Sequence, residues 1–379
     1  MRKLLILLVL TIVYGEASAQ GWLTRADFGG VGRHRATGMS IGNKGYAGLG
    51  HMNGTGVNIV YKDWWQFDPA SNSWTQKADY PVPMYGAITW GNSTHGYVGG
   101  GTAYSFEYFK YDPITNTWTA IANCPIDATD QTAFSIAEKG YVMTGNQLVE
   151  YNPTTNTWAA KANLPAGLGA WGTSFVIGSS AYVKNGISLY EYKPAQDEWL
   201  FRASCPGIAT GGSSSFSMNQ KGYVVTGYSG SLAVLSKEVW EYNPATNSWL
   251  QKEDFPGSSR RFSIGFSIND RGYFGLGTNG INFNDFWAFD NFADLNNDLK
   301  IDCQLYPNPT TDYIQVKITD FKSPLDYQLM NQIGAIVKSG ELTEAITTID
   351  LTSLANGSYF IRISTVDGKV STQQIQKNN

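Results

Sequence analysis

Tyr111-Asp112-Pro113-Ile114-Thr115-Asn116-Thr117-Trp118 decides the fold, because the chain repeats it. Phe67-Asp68-Pro69 runs to Asn72-Ser73-Trp74, and Tyr151-Asn152-Pro153 to Asn156-Thr157-Trp158. Tyr192-Lys193-Pro194 runs to Asp197-Glu198-Trp199, and Tyr242-Asn243-Pro244 to Asn247-Ser248-Trp249. Each copy joins an aromatic strand end to a Pro-containing turn, a small polar residue and a Trp. A sixth Trp, in Gly21-Trp22-Leu23-Thr24-Arg25-Ala26-Asp27, matches the ends of these copies but has no strand before it. A second element also occurs six times, at Tyr46, Tyr97, Tyr141, Tyr182, Tyr223 and Tyr273, each after a Gly or, once, Ala181. The steps between these tyrosines are 51, 44, 41, 41 and 50 residues, near the ~40–50-residue period of propeller blades.

Counting both elements predicts how the array ends. Tyr273 is followed by Phe286-Trp287-Ala288-Phe289-Asp290 with no Trp element after it, and the orphan Trp22 supplies what is missing. The N-terminal strand thus completes the last of six four-stranded blades, and closure hides the two edges of the array. Small-residue strands such as Ala133 to Ala137 are expected to line the central channel. Phe216 with Met218, and Tyr223 with Val225, alternate with the period of strands. No stretch sustains a helical apolar face. The expected fold class is all-β, a six-bladed propeller followed by a small Ig-like β-sandwich.

Composition agrees with many short strands: 41 Gly, 14% aromatic and 15% charged residues in 379. A net charge of −4 leaves no footprint for nucleic acid or an anionic membrane. Arg2 and Lys3, the apolar run Leu4 to Val13 and Ala17-Ser18-Ala19 read as a signal peptide over 1–19, with Gln20 first in the mature chain. The apolar run is too short to span a bilayer. The propeller is expected over 20–290, a polar linker over 291–303 and the sandwich over 304–379. In the linker, Asp294, Asn296 and Asp298 have calcium-loop spacing, but Leu299 and Leu305 stand where that loop needs Gly and Glu. Cys124 and Cys205 occupy one slot in non-adjacent blades, too far apart for a bridge. Cys303, at the junction, is left as a free thiol or a cross-link to another chain.

The paired glycines Gly48-Leu49-Gly50 and Gly99-Gly100-Gly101, with the recurrent Tyr and Trp, resemble the Kelch repeat over about residues 21–290. At the other end, Tyr306-Pro307-Asn308-Pro309, Asp350-Leu351, Leu354 and Asn356-Gly357-Ser358-Tyr359 resemble the type A sorting domain of the type IX secretion system, over 304–379. Pro307, Asn308, Pro309, Gly357 and Tyr359 are taken as its sorting motif. This resemblance implies passage to the periplasm of a Gram-negative bacterium, and recognition of the C-terminal domain by the outer-membrane translocon. The protein would then be released or held on the cell surface.

Side chains present in every blade pack between blades, so function is sought where the repeats differ. Arg33-His34-Arg35 and Arg260-Arg261 precede the inner strands of blades that ring closure makes neighbours; Arg suits carboxylate or sulfate, and it also serves structure at such a position by hydrogen-bonding blade carbonyls. Tyr85, Asp127, Asp130, Gln131 and Trp171 join them as candidates for a rim site. Met52 to Tyr61 and Tyr228 to Lys237 are insertions that read as surface loops flanking it. His95 replaces the Lys or Arg of other blades and is a turn residue on the opposite face. Neither a metal nor a cofactor site is read: His34 and His51 lack a carboxylate at ligand spacing. The residues of galactose oxidase, a Kelch-like copper enzyme, have no counterpart here. Two functions follow. One is binding of an extracellular protein or glycan. The other is mutarotation of an anionic sugar at the channel mouth, as in the Kelch-like bacterial N-acetylneuraminate epimerase.

Overall fold

The repeated stretch is a turn that ties neighbouring blades together. Asp112 Oδ1 accepts the N–H groups of Ile114 (2.8 Å) and Thr115 (3.3 Å), closing an Asx turn. Asn116 then takes φ +56°, a left-handed conformation that Asn tolerates. Its Oδ1 accepts the Tyr111 hydroxyl (2.8 Å) and the N–H of Ala78 (2.9 Å), which follows the outer strand of the previous blade. Trp118 Nε1 donates to the carbonyl of the same Ala78 at 2.9 Å. Trp74, Trp158, Trp199 and Trp249 repeat that bond to Ala26, Ala122, Ala162 and Ala203.

The computed structural model describes residues 20–378 except 55, 104–105, 167–170, 292–300, 320, 322–323, 332–334 and 366–369. The segment read as a signal peptide and the three acidic and amide residues of the linker lie outside the described residues. Among those described there is no α-helix, so none is long and apolar enough to cross a membrane.

Residues Gly21–Asp290 form one compact unit. It contains six antiparallel four-stranded sheets. Blade one runs from its inner strand Thr37–Ile41 through Lys44–Gly48 and Trp64–Asp68 to Ser73–Lys77. Blades two to five repeat this order behind inner strands Ala87–Gly91, Ala133–Ile136, Thr173–Ile177 and Ser214–Met218. Blade six pairs Ile264–Ile268, Arg271–Gly275 and Phe286–Asn291, and its outer strand is Gln20–Thr24 from the start of the chain. Each inner strand packs beside the next, and the last beside the first, which closes the ring. Trp22 seats this closure, its ring centroid 4.8 Å from Phe289 and 5.1 Å from Phe255.

The glycine of the Gly-Tyr pair serves the same blade-to-blade packing. A Cβ on Gly140 would come 2.1 Å from the Trp90 ring of the blade before it, and one on Gly222 2.0 Å from the Phe175 ring. The tyrosine behind it is buried and reaches a polar partner: Tyr141 bonds Glu150 (2.7 Å), Tyr223 bonds Glu241 (2.8 Å) and Tyr182 bonds Glu191 (3.1 Å). Burial pushes Glu150 up, yet hydrogen bonds from Lys139 and Tyr141 outweigh it and hold the carboxyl below its usual range.

The two insertions expected as loops are β-structure. His51–Gly54 and Val57–Val60 pair as a separate hairpin in blade one. In blade five, Lys221–Ser229 and Val234–Asn243 lengthen the second and third strands across a bulge between Val225 and Gly227. Their Gly and Ser content suits the turns, while Val57, Ile59, Leu235 and Val234 supply strand-forming side chains.

The C-terminal unit includes Asn291–Asn379. Cys303–Tyr306, Tyr313–Ile318 and Ile346–Asp350 form one sheet; Ile336–Leu342, Leu325–Asn331, Gly357–Ser364 and Val370–Lys377 form the other. Ile314, Val316, Leu329, Leu342, Leu351, Ile361, Ile363 and Ile375 are fully buried in one shared core. Asn308 binds the last strand twice, donating to Gln374 O (2.7 Å) and accepting from Gln376 N (2.9 Å), with cis peptide bonds before Pro307 and Pro309. Gly357 has φ +152°, and the Tyr359 hydroxyl donates to Ala355 O.

Candidate functional site at the channel mouth

Each blade enters its inner strand through one residue with positive φ. These are Arg35 (49°), Gly86 (67°), Asp130 (53°), Trp171 (67°), Gly212 (66°) and Phe262 (59°). The N–H of each donates to the carbonyl of its predecessor round the ring, and that of Arg35 to Phe262 O, over 2.9–3.2 Å. The result is a closed circle of six backbone hydrogen bonds about the channel. Left-handed backbone costs a bulky residue about 1–2 kcal/mol. Trp171 and Phe262 hold it because the circle over-determines their backbone, a pattern typical of functional sites.

The backbone of this ring is sixfold, but its side chains are not. The ring residues and those after them line a mouth of about 120 Å³. Arg35 and Asp130 form an ion pair at 3.3 Å across Gly86, where a Cβ would stand 2.7 Å from Asp130 Oδ1. The Arg35 guanidinium lies 4.8 Å from the Phe262 ring centroid and 5.7 Å from those of Tyr85 and Trp171. Trp171 and Phe262 meet edge to face at 5.2 Å.

Arg35, Asp130, Gln131 and Trp171, expected from sequence, are therefore brought together, with Tyr85 against Arg35. His34 and Arg261 occupy equivalent positions just before the ring, each in an antiparallel bridge, to His51 and to Thr278. Asp127 is exposed and outside the lining.

Arg33 and Arg260 are not rim residues, which corrects the expected cluster of arginines. Both are 1% exposed. Arg33 forks onto Asp63 and donates to Val31 O and Leu49 O; Arg260 forks onto Asp285 and donates to Ser258 O and Leu276 O. Each guanidinium stacks at 3.8 Å, on Tyr61 or Phe283. Recurrence of every contact in two blades marks them as scaffold. The signal for this was present in Asp63-Trp64-Trp65 and Asp285-Phe286-Trp287, whose Asp also accepts the N–H of the Trp two residues on.

Sequence reasoning missed Phe262, while His51 was weighed with His34 only as a possible metal ligand. His34 and His51 lie with ring centroids 4.2 Å apart, and His51 stacks on Tyr85 at 3.9 Å. Burial lowers the His34 pKa to about 4, against an Asn282 hydrogen bond that favours the cation. Burial and Arg35 lower that of His51, against the amide of Asn58. Both rings are neutral at pH 7. Among the described residues no group of three or more His, Cys, Asp or Glu is placed to hold a metal ion.

Below the ring lies a channel of about 160 Å³, lined by Thr37, Thr89, Thr173, Ser174, Ser214 and Ser215 among others. Ser215 bonds Thr173 Oγ1 (2.7 Å) and Ser174 O (2.6 Å), tying inner strands of adjacent blades.

Residues 304–378 match the secretion system C-terminal sorting domain. No curated protein matches the chain. Among solved structures, the one titled "Structure of YjhT" is similar with a TM-score of 0.60 at 17% identity, over 69% of this chain and 95% of that one. At this identity the likeness speaks for the fold alone. The chain thus joins a β-propeller to a type IX sorting domain.

Proposed function

We propose that this is a secreted or cell-surface propeller of Kelch type that binds an extracellular protein or glycan at the channel mouth. The sorting domain would hand it to the type IX translocon. The observation that carries the binding reading is the ring itself: six equivalent backbone positions with unlike side chains, two of them large aromatics in left-handed conformation. Rigid scaffolds bearing divergent side chains at one end are where binding sites are built. Mutarotation of an anionic sugar draws support from His34, Arg35 and Arg261 lying beside one another. It is the weaker reading, because Arg33 and Arg260 are paired internally.

The test is a glycan-array and thermal-shift screen, with pull-downs, on the mature chain and its Trp171→Ala variant. A ligand that raises the melting temperature of the first and not the second supports the mouth. A ligand bound equally by both rules it out. For export, removal of 304–379 is expected to leave the propeller in the periplasm; secretion of the truncated chain would oppose that role.

A further inference from the structure

Three neighbouring blades raise walls beside the mouth, and two others do not. Blades three and four pass from second to third strand in two residues, Gly145-Asn146 and Gly186-Ile187. Blade five carries these strands on to Ser229 and from Val234, blade six spans 276–285, and blade one inserts the hairpin of His51–Gly54 and Val57–Val60. Bridges from Tyr228 to Gly211, Thr278 to Arg261 and His51 to His34 tie each wall to the segment that enters the ring. No Asp, Glu, Lys or Arg occurs in 51–60, 228–236 or 277–284. These walls carry Val57, Ile59, Leu232, Val234 and Ile281 instead, 42–69% exposed. A Cβ on Gly54, Gly56 or Gly280 would meet nothing within 4 Å, so the turns stand free. Single exposed aliphatic side chains are ordinary, but several gathered at one end of a folded unit mark an interaction surface.

Arg261 stands at the foot of these walls. Its guanidinium lies 5.0 Å from the Tyr228 ring of blade five and 4.9 Å from the Phe262 ring. Arg33, Arg35 and Arg260 each have a carboxylate. Arg261 has neither an ion pair nor a side-chain hydrogen bond among the described residues, and its nitrogens are open to solvent. A partner that covers the walls also covers this cation, and a desolvated cation without an acceptor is costly. A carboxylate on the partner answers it, because the guanidinium fork gives a carboxylate two hydrogen bonds. Val, Ile and Leu offer sugar hydroxyls no hydrogen bond; they gain by burial against other apolar side chains. A second copy of the chain would add another unpaired Arg261 rather than an acid.

We propose that the three walls dock a protein partner, through an apolar surface segment that carries an Asp or Glu for Arg261. This rests on the mouth reading above and chooses protein over glycan.

The experiment selects a phage-displayed random peptide library on the mature full chain, then titrates the enriched peptides, made synthetically, by calorimetry. These peptides are expected to combine aliphatic or aromatic residues with an Asp or Glu. Replacing Leu232→Ser and Ile281→Ser together should weaken their binding about tenfold. It should leave the melting temperature unchanged, since both side chains are exposed. Arg261→Met should also weaken binding about tenfold, the loss of a charge-assisted pair, and a selection repeated on that variant should no longer enrich acids. No enrichment over the doubly substituted chain, or equal acid content on Arg261→Met, overturns the proposal. Dimerisation in the ultracentrifuge, or capture by phosphatidylethanolamine vesicles, that the double substitution abolishes gives the walls to a second copy or a membrane and overturns it too. A glycan that needs Trp171, with no peptide bound, overturns this inference and spares the mouth reading. Peptides indifferent to the walls and to Trp171→Ala alike overturn both.

Discussion

Two features run round this propeller, and they recur in opposite ways. In the Trp turns the side chains repeat: Asn116, Asn156 and Asn247 each bond a Tyr hydroxyl and the N–H of an Ala in the neighbouring blade, and Trp Nε1 bonds that Ala carbonyl. At the channel mouth only the backbone repeats, and the side chains run Arg35, Gly86, Asp130, Trp171, Gly212, Phe262. The first pattern is what a scaffold needs, since every junction between blades poses the same packing problem. The second keeps a rigid frame and varies what it displays. The same division separates two arginines two residues apart. Arg33 points into its blade and is closed off by Asp63; Arg35 lies in the mouth beside Asp130.

The sharpest way to break this division is to remove those two partners. Asp63→Ala leaves the Arg33 cation buried and unpaired, and is expected to destabilise the propeller by about 3–5 kcal/mol. Asp130→Asn, beside a part-solvated Arg35, should cost no more than about 1 kcal/mol. Equal losses in calorimetric melting would erase the distinction.

The next effect is a pH dependence at the edge of the mouth. The folded-state pKa of His34 lies at about 4, below its ordinary value of 6.5, so only the unfolded chain takes up a proton between those values. Stability is complete above about pH 6.5 and falls as pH drops towards 4, by roughly 2–3 kcal/mol, with His51 acting in the same direction. His34→Gln should flatten most of that slope; an unchanged slope would remove the neutral histidine pair from the account.

The smallest contrast compares one residue from each ring. Asn116→Ala removes the acceptor for two hydrogen bonds and places Ala in a left-handed position, a loss of about 1–2 kcal/mol. Trp171→Gly relieves a left-handed backbone while losing ring contacts, so its melting temperature should move less. A larger loss at Trp171 would make it scaffold.

Much of the frame was legible in the chain. Six Trp and six Tyr elements at blade-like spacing, with an orphan first Trp, predicted six blades and closure by the N-terminal strand. The insertions after His51 and Gly227 misled, because Gly and Ser suit hairpin turns as well as loops. Arg33 and Arg260 misled for another reason. Charge is visible in a sequence, but the partner that neutralises it stands 30 and 25 residues away.

The sequence by itself determined what is local or periodic: the Asx turn of Asp112, the glycine that lets a neighbouring ring lie on the backbone, the strand alternation and the motifs of the sorting domain. These depend on residues a few positions apart or on one spacing repeated along the chain. Only the tertiary structure decided which variable residues share a site. Arg35, Asp130, Trp171 and Phe262 come from four blades and meet because the ring closes, and their common left-handed backbone is held by hydrogen bonds between blades. No local pattern encodes such bonds, since five of them join segments 41–51 residues apart and the sixth, from Arg35 to Phe262, closes the ring across 227 residues.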